Sequence, residues 1–302
     1  MNRRQLLKHA AGTGAALSLA WNPLYAKSGG IIRKAIPGTD ETLPVIGLGT
    51  NRYSVGDAEH HARLKQALNT FHEHGGTLID TAPMYRSSET ILGQLINELG
   101  VRDQLFVATK ADRAADNGGP ERLTNSFTQL QTDRLDLVQS HNLLGVNSML
   151  PILREQQAAG HIRYVGITTS RNAQFADFID VMNKFPLDFI QVNYSLADRG
   201  AAERILPLAA DKGIAVLVNL PLGRGSLFKA VGEQPLPGWA VEFDCDSWAQ
   251  FFLKYVVSHP TVTCAIPGMT RARHVADNLG AALGRLPDAN QRRRQEQFLD
   301  GL

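Results

Sequence analysis

Short apolar runs alternate with stretches of helical period along most of the chain. The runs are Val45–Thr50, Thr77–Asp80, Leu105–Lys110, Leu135–His141, Ile162–Thr168, Asp188–Asn193, Ile214–Asn219 and Val262–Ile266. They are β-branched and apolar at successive positions, the pattern of parallel strands covered by helices on both faces. Helices are predicted across Asp57–His74, Ser87–Leu99, Pro120–Leu130, Ser148–Ala159, Asn172–Asn183, Ala201–Lys212, Asp246–His259 and Ala272–Leu283, with a longer loop after the seventh strand. Gly75, Gly160 and Gly213 fall where helices stop, at the left-handed cap position. Repeated βα units with right-handed crossovers build either an open doubly wound sheet or a closed barrel. Eight units favour closure. The expected fold is α/β, a (β/α)8 TIM barrel, with an N-terminal hairpin over Arg33–Val45 and an extra C-terminal helix over Asp288–Leu302. No Pro/Gly/Ser linker divides the chain, so one domain is expected from residue 27 to 302.

The first 26 residues change the picture of charge and compartment. Asn2-Arg3-Arg4-Gln5-Leu6-Leu7-Lys8 resembles a bacterial twin-arginine export motif; a mild apolar stretch, Ala10 to Ala20, and a small-residue cleavage site at Leu24-Tyr25-Ala26 follow. That stretch is too short and too rich in Gly, Ser and Thr to span about 30 Å of hydrocarbon. The expectation is a cleaved signal peptide, a periplasmic or otherwise exported mature chain with no stable membrane anchor, and the twin-arginine export machinery as a partner. Arg3, Arg4 and Lys8 leave with the signal, so 28 of the 31 basic residues remain against 29 acids and the formal charge of +2 falls to near −1. Nothing there points to nucleic acid, and Arg292-Arg293-Arg294 reads as a solvated helix face. Cys245 and Cys264 are the only cysteines and are expected as two free thiols. No metal-ligand spacing occurs among the nine histidines.

Four polar side chains stand at or just after the ends of buried runs: Asp80, Tyr85, Lys110 and His141. In a barrel the C-terminal ends of parallel strands share one mouth, so these four should meet there. A carboxylate, an ammonium, a phenol and an imidazole in contact can move a proton to or from oxygen. Free Tyr titrates near pH 10 and Lys110 is expected to lower that value, with Asp80 holding the ammonium in place.

With these residues in hand, the chain resembles the aldo-keto reductase family. The matching stretches are Gly47-Leu-Gly-Thr50, Ile79-Asp-Thr-Ala-Pro-Met-Tyr85, Val107-Ala-Thr-Lys110, Leu135-Asp-Leu-Val-Gln-Ser-His141, Tyr164-Val-Gly166, Ile190-Gln-Val-Asn-Tyr-Ser195, Pro221-Leu-Gly-Arg-Gly225 and Ile266-Pro-Gly268. The resemblance implies reduction of an aldehyde or ketone to an alcohol, with hydride from a nicotinamide cofactor lying across the mouth. Tyr85 would be the general acid and His141 would hydrogen-bond the substrate oxygen. A Rossmann reading fails because Gly47-x-Gly49 lacks the third glycine and opens no helix.

By matching position, Gly49, Thr50 and Thr168 would lie near the nicotinamide and Gln191 against its carboxamide. Leu222, Gly223 and Arg224 would approach the pyrophosphate through backbone N–H groups, Arg271 and His274 a ribose 2′-phosphate, and Asn278 the adenine. Asn51, Tyr53, Met84 and Asn142 would line the substrate pocket, which is expected to be open because the long C-terminal loop of many relatives is absent. NADPH is the expected cofactor, with NADH also possible. The chain departs from the family pattern in three respects: Thr168-Thr169 for Ser-Asn, Asn219 for a ring-stacking Tyr, and His274 for the usual arginine. Export adds an alternative, a nicotinamide-nucleotide-binding or sensing protein with little turnover, because a reductase outside the cytoplasm lacks an obvious source of reduced cofactor.

Overall fold

The computed structural model describes residues 30–302, so the signal-peptide reading of residues 1–26 lies outside the described residues. The chain opens with an antiparallel hairpin, β1 (Arg33–Ala35) and β2 (Thr42–Pro44), with Lys34 opposite Leu43. Eight parallel strands follow: β3 (Leu48–Gly49), β4 (Leu78–Asp80), β5 (Phe106–Ala111), β6 (Leu135–His141), β7 (Ile162–Thr168), β8 (Phe189–Asn193), β9 (Ala215–Asn219) and β10 (Val262–Ala265). Each pairs with its successor. The crossovers carry α1 (Ala58–Glu73), α2 (Ser88–Leu99), α3 (Gly119–Leu130), α4 (Val146–Ala158), α5 (Phe175–Lys184), α6 (Ala201–Asp211), then α7 (Ser226–Val231) and α8 (Trp248–Val257). After β10 come α9 (Ala272–Leu279) and α10 (Ala289–Asp300). No helix among the described residues is long and apolar enough to cross a membrane.

The cylinder closes between β3 and β10 through parallel bridges from Ile46 to Ala265 and from Gly49 to Gly268. Gly47 N–H donates to Ala265 O at 2.8 Å, Gly49 N–H to Pro267 O at 2.9 Å, and Ala265 N–H to Val45 O at 2.8 Å. A Cβ on Gly49 would stand 2.7 Å from the Ile266 carbonyl oxygen, so the glycine is what lets the two strands approach.

Strand alternation sorts the wall into two faces. Ile79, Val107, Val138, Val165, Ile190, Val192, Val216 and Val218 point outward and pack with the helices. Leu78, Phe106, Ala108, Leu137, Phe189, Ala215, Leu217 and Cys264 point inward, where Ile36 and Leu43 of the hairpin plug the lower end. Continuing the inward series upward by twos gives Asp80, Lys110, Gln139, His141, Gln191, Asn193 and Asn219. The lumen is therefore apolar at its floor and polar at its mouth.

The predicted strands and their helices match the structure, with two additions. The loop after β9 holds α7 and a six-residue 3-10 turn, Gly238–Phe243, because an apolar run too short to show a helical period docks Leu227, Val231, Ala240 and Phe243 into the outer core. Gly75, Gly160 and Gly213 have φ of +83°, +83° and +63°, as expected of left-handed caps. The solvated-face reading of Arg292-Arg293-Arg294 needs correction at Arg292, which hydrogen-bonds Tyr194 Oη at 2.7 Å and Ser258 Oγ at 2.8 Å and stacks over Tyr255. It clamps α10 to the outside of α8, where Gln295 Nε2 also donates to Phe251 O. Cys264 is a buried residue of β10, and Cys245 is buried with Sγ 3.3 Å from Ser247 O.

Candidate active site

Lys110 ends the inward series of β5 and is 1% exposed. A buried ammonium needs partners for its three N–H groups. It finds them in Asp80 Oδ1 and Oδ2, each at 2.8 Å, and Thr81 O at 2.7 Å. Burial alone would lower the lysine's pKa, but the Asp80 carboxylate and the Tyr85 phenol outweigh it and hold Lys110 above its ordinary value. The ammonium sits 5.2 Å from the centroid of the Tyr85 ring, and that ring meets His141 edge-on at 6.2 Å between centroids. The structure thus brings together all four residues picked out by the sequence.

The electrostatics correct one expectation. Burial pushes the Tyr85 phenol above its ordinary value; Lys110 and Arg224 pull it down, but Asp80 pushes it further up. Seen from the phenol, the ion pair is close to neutral, so Tyr85 stays protonated. Burial, helped by the Lys110 charge, lowers His141 to about 3. A neutral imidazole results, with Nδ1 buried and unpaired.

Beneath this group runs a chain of amides. Gln139 Nε2 donates to Gln191 Oε1 at 2.7 Å, and Gln191 in turn hydrogen-bonds Asp80, whose carboxyl burial pushes above its ordinary value against the opposing pull of Lys110 and of this amide. Gln139 escaped the sequence reading, although it stands two residues before His141 on the same inward face and could have been found by that period. Asn193, two residues after Gln191, was missed for the same reason. Ser88 Oγ lies 3.0 Å from Thr50 O, Thr50 Oγ1 and Thr81 Oγ1, tying the loops after β3 and β4 together.

Several candidate residues are placed otherwise than expected. Thr50 is fully buried, with Oγ1 spent on Asp80 O at 2.9 Å, so its side chain fixes the strand end and faces no ligand. Gly49 acts at the seam through its missing Cβ. Tyr53 is 1% exposed within the outer core, and burial raises its phenol, which removes it from an open pocket wall. Asn142 has φ +51°, and its Oδ1 accepts from Ser170 N–H at 3.1 Å, joining two rim loops. Met84 is 54% exposed beside Tyr85, and Asn51 is exposed with Oδ1 near Gly268, positions that suit a pocket rim.

The expected nucleotide track runs from β7 round to α9. Thr168 is buried opposite Gln191 in the β7–β8 register. Gly223, Arg224 and Gly225 have φ of +56°, +53° and +90° just ahead of α7. Of the three amides expected to approach the pyrophosphate, Gly223 N–H already donates to Leu220 O; the neighbouring Gly225 N–H donates to Leu222 O. The Arg224 guanidinium is exposed and near enough to Tyr85 to lower its pKa. Arg271 caps α9 and is exposed with Arg273 and His274, whose imidazole burial and the two arginines hold below its ordinary value. Asn278 is buried at the far end of α9. Unpaired buried acceptors at the mouth and exposed guanidinium groups along its edge suit a ligand carrying an amide and phosphates.

The profile of the aldo/keto reductase family matches residues 45–296. The chain belongs to that family and is an NAD(P)H-dependent oxidoreductase of its kind. It is 36% identical over 177 residues to the aldo-keto reductase YhdN of Bacillus subtilis, spanning 54% of this chain and about half, 53%, of that relative. It is 27% identical to an NADH-specific methylglyoxal reductase of Escherichia coli, over 83% of this chain and 94% of the relative. Among solved structures, an aldo-keto reductase of Klebsiella pneumoniae in complex with NADPH has a TM-score of 0.74 at 25% identity, over 89% of this chain and 95% of that one.

Proposed function

We propose that the protein reduces a small aldehyde or ketone to the alcohol, with NADPH or NADH as hydride source and Tyr85 as general acid. The observation that carries this reading is the packing of Lys110, doubly bonded to Asp80, against the phenol of Tyr85 and, across its ring, the imidazole of His141. When bound, the nicotinamide supplies the hydride; the chain's own residues manage the proton. Tyr85, kept protonated by burial, donates to the carbonyl oxygen as negative charge develops there. Lys110 faces the phenolate that remains, and its attraction strengthens once the proton has gone. Asp80 anchors the ammonium and Gln191 anchors Asp80. His141, neutral, orients the carbonyl oxygen by a hydrogen bond and is no source of a second positive charge. Arg224, Arg271 and His274 are the groups placed to meet phosphates.

Mixing purified protein with NADPH and a panel of short aldehydes, methylglyoxal first because two relatives are named for it, tests the reading by loss of the reduced-nicotinamide absorbance. Tyr85→Phe should lower kcat at least about 1,000-fold, at the scale of a removed general acid or more, and leave the cofactor Kd within about twofold. Retained turnover in that variant ends the assignment. Export through the twin-arginine route is proposed on residues 2–8 alone. Replacing Arg3 and Arg4 by Lys should hold the protein in the cytoplasmic fraction, unprocessed; unchanged fractionation overturns the export reading.

A further inference from the structure

The loops after β3 and β4 each carry an exposed arginine and an exposed apolar side chain. Arg52 and Val55 stand on the first, Met84 and Arg86 on the second, with Val55 and Met84 each more than half exposed. The two loops form one surface, because Val55 N–H donates to Ser87 Oγ at 2.9 Å and Ser88 Oγ lies 3.0 Å from Thr50 O. Neither guanidinium has a hydrogen bond or ion pair among the described residues. The loop after β4 contains no acid, and on the loop after β3 Asp57 is engaged as the cap of α1, accepting from His60 N–H at 2.8 Å. On the next loop Arg113 is offset by the exposed Asp116, so the positive charge of this arc rests with Arg52 and Arg86.

Arg86 is held at φ +56°, a left-handed conformation that a side-chain-bearing residue adopts at a cost and that glycine adopts freely. A strained position that keeps an unpaired charge directly after Tyr85 points to a functional demand. The charges felt most at the Tyr85 phenol are those of Lys110, Asp80 and Arg224, so Arg86 stands off the reacting oxygen and is placed for the remote end of a substrate. The tetrad supplies no charge for that end: Lys110 is matched by Asp80, and His141 is neutral.

Resting on the reductase reading, we propose that the substrate is an aldehyde or ketone with an apolar body and a carboxylate at its far end, the body lying on Val55 and Met84 and the carboxylate held by Arg86 and Arg52. The guanidinium fork matches the two oxygens of a carboxylate, and an apolar body covering the patch strengthens the pairing by displacing water. The patch selects by charge at the end of the molecule that does not react.

Reduction of 4-carboxybenzaldehyde and of its methyl ester, each with saturating NADPH, tests the assignment, since the two share the ring and the reacting carbonyl and differ in one charge. At low ionic strength kcat/KM for the acid should exceed that for the ester at least about tenfold, mainly through KM, and the ratio should fall as salt is raised. In Arg86→Gly the ratio should drop about fivefold or more, with Tm at or above the wild-type value because glycine accepts the left-handed backbone. A purely structural Arg86 would lower Tm in that variant and leave the ratio unmoved. Arg86→Gln serves if the glycine variant folds poorly, and combination with Arg52→Gln should bring the ratio near one. An acid reduced no better than the ester, or a ratio that survives the double variant, overturns the carboxylate site, while turnover of the ester leaves the reductase reading intact. No turnover of either aldehyde or of the short-aldehyde panel overturns both.

Discussion

Tyr85 shows how far a residue's chemistry is set by what surrounds it. The ammonium beside it is there as expected, but Asp80 offsets its charge and burial decides the direction of the shift. Lys110 acts on the proton after it leaves, not before. With His141 lowered to about 3, and Tyr85 and Lys110 both held above their ordinary values, the imidazole, the phenol and the ammonium keep their charge between pH 6.5 and 10. A pH profile of kcat/KM for carbonyl reduction should be level across that window; an inflection near 7 would place the proton elsewhere. His141 also bears on stability. Its folded value lies below the unfolded 6.5, so its contribution is full above pH 6.5 and is lost as pH falls toward 3. Thermal unfolding between pH 7 and 4 should show a shallower loss in His141→Gln. The four site residues were legible because each ends or follows a buried apolar run. The direction of the Tyr85 shift was not, since burial depends on how the turn closed by Tyr85 N–H on Ala82 O seats the ring against Lys110 and His141. Thr50 and Tyr53 misled for the reverse reason: motif position placed them near a ligand, and side-chain packing turned them into the wall.

At the level of elements, alternation and period recovered the eight βα units, and they failed only where the segments are short. Close contacts that no period reveals are held by single residues. Gly93, in the middle of α2, has no room for a methyl group, because a Cβ would lie 2.2 Å from Gln129 O of α3. Helix propensity alone would favour Gly93→Ala by about 1 kcal/mol. Packing reverses the sign, and the variant should instead lose about 1–3 kcal/mol in urea unfolding as α2 moves off α3. Lys34 of the hairpin is a second such residue. Its Nζ donates to Val257 O, His259 O and Val262 O at 2.8, 2.8 and 2.7 Å, finishing α8 and starting β10 from underneath. Lys34→Met strands three carbonyls, and a loss of about 2–3 kcal/mol is expected by the same measurement.

Across the whole molecule, the cylinder is held shut by its smallest strand. β3 has two residues between Gly47 and Thr50, and the seam beside it is made by two single bridges, from Ile46 just before β3 to Ala265 and from Gly49 to Gly268 just after β10. The partners in that contact, Ile46 and Ala265, stand near opposite ends of the described chain. During synthesis, everything from β3 to β9 is out of the ribosome long before its last neighbour exists, and two strand edges wait bare. Only when Gly268 emerges can the ring be completed and the mouth acquire its full circumference. A protein released short of that point would be a curled sheet with sticky margins, so the final forty residues act as the fastener of the ring, and Arg271, His274 and Asn278 arrive with them.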